Sequence, residues 1–190
     1  MEKKDLKPAG VFKYFEEICQ VPRPSKKEEK MIAYLKAFGA KHNLETKVDE
    51  AGNVLIKKPA TPGKENLQTV VLQSHIDMVC EKNNDVQHDF LTDPIETEID
   101  GEWLKAKGTT LGADNGIGVA TELAILADDS IEHGPIECLF TVDEETGLTG
   151  AFALQEGFMS GDILLNLDSE DEGELFIGCA GGIDSCLLYT

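Results

Sequence analysis

The sequence predicts an α/β fold in which a mixed, largely parallel sheet is flanked by helices. Three continuous apolar runs of strand length, at residues 69–72, 136–142 and 163–167, are typical of strands covered on both faces. A helical pattern at residues 115–127 separates the first two runs, so strands alternate with helices along the chain. Each run ends in polar or ionisable residues, and ligand sites in such sheets lie at the carboxyl ends of the strands.

Two amphipathic helices and a pair of strands are predicted before the first of these runs. Apolar residues recur at helical spacing over residues 11–19, and two prolines end this first helix. Ser25 and Glu28 fit a capping box at the start of a second helix, which continues as an apolar stripe. Residues 46–48 and 54–56 have strand composition and are separated by a turn that contains Gly and Asn.

The composition indicates one acidic globular domain. The 190 residues include 36 acidic and 17 basic side chains, for a net charge of -19, and 41% of them are hydrophobic. This charge repels phosphate backbones and anionic lipids, so cations are expected as partners rather than nucleic acid or membrane. No apolar run approaches the roughly 20 residues of a membrane span and no signal peptide is evident, which predicts a cytoplasmic protein. The aromatic residues, Trp103 among them, are expected in the core.

Side chains that commonly bind metals lie at four places far apart in the sequence. These candidate ligands are His75, Asp114, Glu144, Glu145 and Asp168. One imidazole with several carboxylates suits zinc, manganese or cobalt better than calcium, which prefers oxygen ligands alone. The five scattered cysteines form no C-x-x-C pair and indicate no thiolate zinc site.

The spacing of these residues predicts how they divide the chemistry. In an extended chain, residues two apart point the same way, so Asp77 can accept the second N–H of the His75 imidazole. Asp114 precedes a helix among glycines that let the backbone approach a compact site, which makes it a candidate bridging carboxylate. Glu144 and Glu145 are adjacent and diverge in an extended chain, so one can bind metal while the other acts as a base. This division is what hydrolysis by a metal-activated water needs.

Taken singly, each motif also has an ordinary structural explanation. A lone His-x-Asp is more often a hydrogen-bonded pair than a metal site, and acidic loops are common on protein surfaces. The glycines near Asp114 lack the third glycine and the lysine of a phosphate loop, so nucleotide binding is not expected. Two classes of function stay open: a metallohydrolase, and a non-catalytic acidic module that binds cations.

Five blocks of the sequence closely resemble the aminoacyl-histidine dipeptidases, which are cytosolic di-metal peptidases of the M20 family. The blocks are residues 71–79, 89–95, 108–118, 140–151 and 165–171, and the resemblance runs essentially end to end. It implies a zinc-peptidase-like catalytic domain that hydrolyses dipeptides of the Xaa-His type with broad specificity. It also implies two divalent metal ions as cofactors, zinc in the first place, with manganese or cobalt as alternatives.

The resemblance assigns a role to each candidate residue. It implies that His75 and Asp168 bind the first ion and that Glu145 binds the second. Asp114 would bridge both ions. Glu144 would be the general acid and base, and Asp77 would assist catalysis by supporting His75. Tripeptidases, aminoacylases and carboxypeptidases of the same family are the nearest alternatives, and the turn at residues 114–118 favours the dipeptidases.

Members of this family are more than twice as long as this chain. A lid or dimerisation domain interrupts their catalytic domain, and a last histidine ligand comes from their far C-terminal part. Residues 1–190 are therefore expected to be the N-terminal part of the catalytic domain, inactive alone and part of a homodimer in the complete enzyme. The strand-like residues 183–190 end without a turn or cap, which also predicts a truncated chain.

Overall fold

The computed structural model describes residues 2–169, 171, 173–179 and 181–182. The strands are β1 (Glu45–Val48), β2 (Val54–Lys58), β3 (Val70–His75), β4 (Thr97–Asp100), β5 (Trp103–Ala106), β6 (Ile136–Thr141) and β7 (Ile163–Asn166). The helices are α1 (Ala9–Cys19), α2 (Glu29–Lys41), α3 (Ala113–Ala127) and α4 (Thr149–Ala153), after a 3-10 turn at Lys3–Asp5. The predicted strand at residues 183–190 lies outside the described residues. Within them, no helix combines the length and apolar composition needed to cross a membrane.

A five-stranded mixed sheet is the centre of the fold, with the spatial order β1-β2-β6-β3-β7. β3 lies between β6 and β7 and is parallel to both, whereas β2 pairs with β1 and β6 in antiparallel fashion. α3 lies in the crossover between β3 and β6, as a parallel pair requires. The predicted α/β class with a mixed sheet flanked by helices is confirmed, and its parallel part consists of the three strands predicted from apolar runs.

The helices α1, α2 and α3 cover one face of this sheet. Their buried side chains, such as Phe15, Leu35 and Leu123, are at most 1% exposed and belong to one hydrophobic core with the sheet. Leu55 points to the opposite face, where Phe158 is one of the side chains of a second, smaller core. Because strand residues alternate between the faces, the continuous apolar runs contribute to both cores.

β4 and β5 form a separate two-stranded antiparallel sheet, which the sequence patterns did not predict. Alternate residues of β5 are exposed, and Trp103 at its start is 71% exposed. The expectation that the aromatic residues lie in the core is therefore wrong for Trp103, and also for the exposed Phe152 and Phe176. A two-stranded sheet has too few neighbours to cover both of its faces.

The predicted capping box of the second helix is also wrong. α2 begins at Glu29, and no side chain caps its N-terminus. The Ser25 hydroxyl instead donates to the Asp77 carboxylate at 2.8 Å, and Glu28 accepts the backbone N–H of Asp143 at 3.1 Å. Glu28 also accepts the nearby backbone N–H of Lys26 at 2.8 Å. The partners Asp77 and Asp143 lie more than 50 residues away, so these side chains satisfy buried polar groups of other segments and do not cap the helix.

Asn53 connects the turn after β1 to the end of β6. Its buried amide nitrogen donates to the Asp49 carboxylate at 2.7 Å and to the Gly150 carbonyl at 2.8 Å. Its amide oxygen accepts the N–H of Val142 at 3.1 Å. Because Val142 directly precedes residues 143–145, Asn53 helps to fix the segment that carries two candidate site residues.

Asn53→Ala is expected to lower the free energy of unfolding by about 2–4 kcal/mol, because buried groups left without a partner cost about 1–3 kcal/mol each. The groups left without this partner are the N–H of Val142 and the carbonyl of Gly150. Urea unfolding followed by circular dichroism measures the loss. Asn84→Ala, at an exposed turn position, is the control and should change stability by less than about 0.5 kcal/mol. Equal stability of the two variants would contradict the role of Asn53.

Candidate metal centre

The candidate site lies where β6, β3 and β7 end side by side. His75 is the last residue of β3, the middle strand, and Asp168 follows β7 on one side. Glu144 and Glu145 follow β6 on the other side, and Asp114 lies in the first turn of α3. Because these strands are parallel, their carboxyl ends meet at one edge of the sheet. The structure thus brings all five candidate ligands to one place.

The Nε2 atom of His75 faces three carboxylates. It lies 3.0 Å from Oδ1 of Asp114, 3.8 Å from Oδ1 of Asp168 and 3.9 Å from Oε2 of Glu144. Glu145 belongs to the same cluster, because its carboxylate offers a ligand atom within 4.8 Å of those of His75 and Glu144. The His75 side chain is 1% exposed and that of Asp114 is 58% exposed, so the cluster opens to solvent on the side of Asp114.

Asp77 holds the other side of the imidazole. Its Oδ1 lies 3.1 Å from Nδ1 of His75, which is the hydrogen bond predicted from the two-residue spacing. The buried carboxylate also accepts the backbone N–H groups of Glu144 at 3.0 Å and Glu145 at 3.3 Å, besides the hydroxyl of Ser25. Burial opposes the charge of Asp77, but these hydrogen bonds, led by that of His75, outweigh it and lower its pKa to about 2.

The carboxylates around His75 give it an unusual affinity for a cation. Burial acts to lower the pKa of the imidazole, but the hydrogen bond to Asp77 and the charge of Asp168 outweigh burial and raise the pKa to about 9. With Nδ1–H donated to Asp77, Nε2 is the atom that presents its lone pair or a proton to the carboxylates. A neutral imidazole there would place a lone pair against carboxylate oxygens, so the geometry favours a positive charge at Nε2.

The expectation that Glu144 and Glu145 diverge is wrong. The chain turns directly after β6, where Asp143 has a positive φ of 47°, so the extended geometry on which that expectation rested is absent. Both carboxylates therefore face His75. Burial is the main cause that raises the pKa of each glutamate; the charge of Asp168 adds to it at Glu144 and that of Asp114 at Glu145.

Asn115 is a site residue that the sequence patterns did not single out. It is buried, and its amide nitrogen donates to the Asp168 carboxylate and to the Leu167 carbonyl, the latter at 3.2 Å. It therefore links the first turn of α3 to the end of β7. The sequence feature that could have identified Asn115 is its position next to Asp114, in a segment that approaches the site.

The donor set fits a divalent metal ion. Ligand atoms around a tetrahedral ion with bonds of about 2.0–2.1 Å lie about 3.3 Å apart. Nε2 of His75 lies 3.0 Å from Asp114 and 3.8 Å from Asp168, which brackets that separation. One imidazole with carboxylates also matches the ligand chemistry of zinc, manganese and cobalt. The individual roles of these residues stay predictions.

A cavity of about 290 Å³ adjoins the cluster. Asp114 and Asp168 line it together with the apolar side chains of Ile117 and Leu167. The carboxylates thus border a space with both charged and apolar walls, which is the usual character of a small-molecule site.

Residues 71–181 match the family model described as peptidase family M20/M25/M40. This range includes every candidate ligand and Asp77. A cytosol non-specific dipeptidase of Escherichia coli (strain K12) is 53% identical over 183 residues, which are 96% of this chain and 38% of that protein.

Solved structures of peptidases are also similar to this chain. The crystal structure of an aminoacylhistidine dipeptidase from Vibrio alginolyticus has a TM-score of 0.91 and 56% identity, over 94% of this chain and 36% of that one. Aminopeptidase PepT from Bacillus cereus has a TM-score of 0.72 and 27% identity, over 85% and 43%. The chain therefore spans less than half the length of these relatives. The resemblance to aminoacyl-histidine dipeptidases is confirmed, and since the family model matches more than half of its residues, the chain belongs to peptidase family M20/M25/M40.

Proposed function

We propose that the protein takes part in metal-dependent hydrolysis of dipeptides, of the Xaa-His type and with broad specificity. The observation that carries the proposal is the buried imidazole of His75, which is fixed by Asp77 on one side and faces carboxylates on the other. The names of the Escherichia coli and Vibrio relatives support dipeptides as the substrates. The name of the former also supports a cytoplasmic location.

We propose two divalent ions, zinc or else manganese or cobalt, bound in a shared cluster. His75 and Asp168 would hold one ion and Glu145 the other. Asp114 would bridge them, because it lies 3.0 Å from His75 and its charge also raises the pKa of Glu145.

Glu144 is the proposed general acid and base. A divalent ion would supply the Lewis acidity that activates the attacking water and polarises the peptide carbonyl. The Glu144 carboxylate takes a proton from that water and delivers it to the leaving amine. Burial raises the pKa of Glu144 above its ordinary value, which makes the carboxylate a stronger base, and its backbone N–H is fixed by Asp77.

Hydrolysis of β-alanyl-histidine by the product of the full reading frame tests this function. Activity is expected to disappear with a chelator and to return with zinc, manganese or cobalt. Tripeptides and N-acyl amino acids serve as competing substrates, and faster turnover of either would favour a tripeptidase or an aminoacylase. Stoichiometric metal binding without any hydrolysis would favour the alternative of a non-catalytic cation-binding module.

The domain assignment and the homodimer stay predictions. If residues 1–190 are the N-terminal part of a larger catalytic domain, the 190-residue chain alone should not hydrolyse the dipeptide even with metal added. A comparison of its rate with that of the product of the full reading frame tests this. Comparable rates would show that residues 1–190 suffice for the reaction.

Glu144→Gln and Glu145→Gln are expected to fail in different ways. The first should retain metal and lose about 10²–10⁴-fold in kcat, because the amide keeps the shape of the side chain and cannot accept a proton. The second should bind less metal, since an amide is a weaker ligand than a carboxylate. Metal content by atomic spectroscopy beside kcat separates the two, and equal metal loss in both variants would contradict the separate roles.

Metal binding is expected to release a proton from His75. Because its pKa is about 9 in the metal-free protein, Nε2 is protonated at pH 7 and the ion must displace that proton. Affinity should therefore rise with pH and level off above about 9. Calorimetry in buffers of different ionisation enthalpy counts the released protons, and binding at pH 7 without any release would exclude His75 as a ligand.

The same proton predicts how the stability of the metal-free protein depends on pH. Folding raises the pKa of His75 from 6.5 to about 9, so the protonated imidazole adds to the free energy of unfolding. This addition is fully present below pH 6.5 and is lost as the pH rises through 9. Urea unfolding of chelator-treated protein between these pH values measures the loss. His133→Gln is the control, because His133 lies outside the cluster, and it should retain the decline with pH.

A further inference from the structure

Arg23 is the only arginine in the sequence. Its side chain bonds to backbone segments that adjoin the proposed metal centre. The residue is 2% exposed. Its Nη1 donates to the carbonyls of Ile76 at 3.1 Å and Asp77 at 3.0 Å, and its Nη2 donates to the carbonyl of Gly112 at 2.5 Å. In the described part of the chain, no carboxylate forms an ion pair with it. The charges of Asp77 and Asp114 act on the guanidinium without such a contact. Its direct hydrogen bonds are those to backbone carbonyls, and these connect segments of the chain.

The three carbonyls belong to two separate segments of the site. Ile76 and Asp77 directly follow His75, and Gly112 precedes α3, which carries Asp114 in its first turn. The backbone of Arg23 is itself fixed to the first segment, because its carbonyl accepts the N–H of Met78 at 3.2 Å. One side chain thus fastens the start of α3 to the end of β3.

Two glycines leave room for this guanidinium. A Cβ atom at Gly112 would lie 2.6 Å from Nη2 of Arg23, and one at Gly116 would lie 2.7 Å from it. Gly112 also has a positive φ of 68°, which disfavours any side chain there. The glycines around Asp114 were expected to let backbone approach the site, and at these two positions the space they leave is occupied by Arg23.

We propose that Arg23 is a positioning residue of the metal centre, which holds the segments of His75 and Asp114 at the separation that a shared ion requires. The inference rests on the proposed function. The observed separation is 3.0 Å between Nε2 of His75 and Oδ1 of Asp114. A lysine keeps the charge but has one compact ammonium group, which cannot reproduce the fork that reaches both segments.

The test compares Arg23→Lys and Arg23→Met with Lys58→Met as a matched control. Lys58 is also a buried cation that donates to two backbone carbonyls, those of Ile125 at 3.0 Å and Asp128 at 2.7 Å. These carbonyls lie at the opposite end of α3, roughly 20–24 Å from Gly112 by a rise of about 1.5 Å per residue. Lys58 also lies 3.9 Å from the exposed carboxylate of Asp129. The control therefore removes the same carbonyl contacts, and one surface ion pair, without touching the site.

Metal affinity and the cobalt spectrum are the decisive measurements, made on the product of the full reading frame after removal of metal. Arg23→Met is expected to bind zinc about 10- to 100-fold more weakly, as loss of an outer-shell partner does, and to alter the absorption of bound cobalt. Arg23→Lys should fall between this variant and the wild type. Lys58→Met should lose thermal stability while its zinc affinity and cobalt spectrum stay those of the wild type.

Folded Arg23 variants with wild-type affinity and spectrum would overturn the inference, even if their thermal stability is lowered. Equal losses of affinity in Arg23→Met and Lys58→Met would also overturn it, because they would reflect general destabilisation. If Arg23→Met does not fold, Arg23→Lys decides by the same criteria, with Arg23→Gln as a second donor-bearing variant. A wild type that binds no zinc or cobalt would instead refute the proposed function.

Discussion

The buried carboxylate of Asp77 is the constraint on which the site depends. It accepts hydrogen bonds from four donors that belong to three segments of the chain: Ser25, His75, and the backbone of Glu144 and Glu145. A carboxylate with no solvent exposure is tolerated only if its oxygens are satisfied, so removing any of these segments would leave an expensive buried charge. The turn after β6 therefore folds against the end of β3, and the positions of both glutamates follow from that contact.

This arrangement concentrates negative charge around one imidazole, and that charge favours the binding of a cation beside His75. In the metal-free protein this cation is a proton on His75, and the pKa of the imidazole therefore rises to about 9 despite burial. A divalent ion places more charge at the same point and satisfies several carboxylates at once. The net charge of -19 acts in the same direction over longer distances, because it attracts cations towards the whole surface.

The sequence predicted the parts of this structure that depend on local patterns. Apolar runs identified β3, β6 and β7, and the polar residues at their ends identified the cluster apart from Asp114, because parallel strands end at a common edge. Contacts between distant segments were not predictable in this way. Ser25 and Glu28 have the spacing of a helix cap and satisfy partners more than 50 residues away, and Glu144 faces His75 because of a turn that no local pattern marked. Trp103 is apolar enough for a core, but its two-stranded sheet leaves it 71% exposed.

The candidate ligands differ in how firmly the fold itself fixes them. His75 belongs to a central strand, and Asp168 follows the parallel strand beside it, so the sheet determines their separation. Asp114 lies in the first turn of α3 but has non-helical dihedral angles, so regular helix geometry does not fix its position. Its position depends on its own contact with Nε2 of His75 and on the side chains that fasten its neighbours, Asn115 to the end of β7 and Arg23 to the end of β3. The start of α3 is therefore where a small displacement has the largest effect on the cluster, and both fastening side chains are buried there.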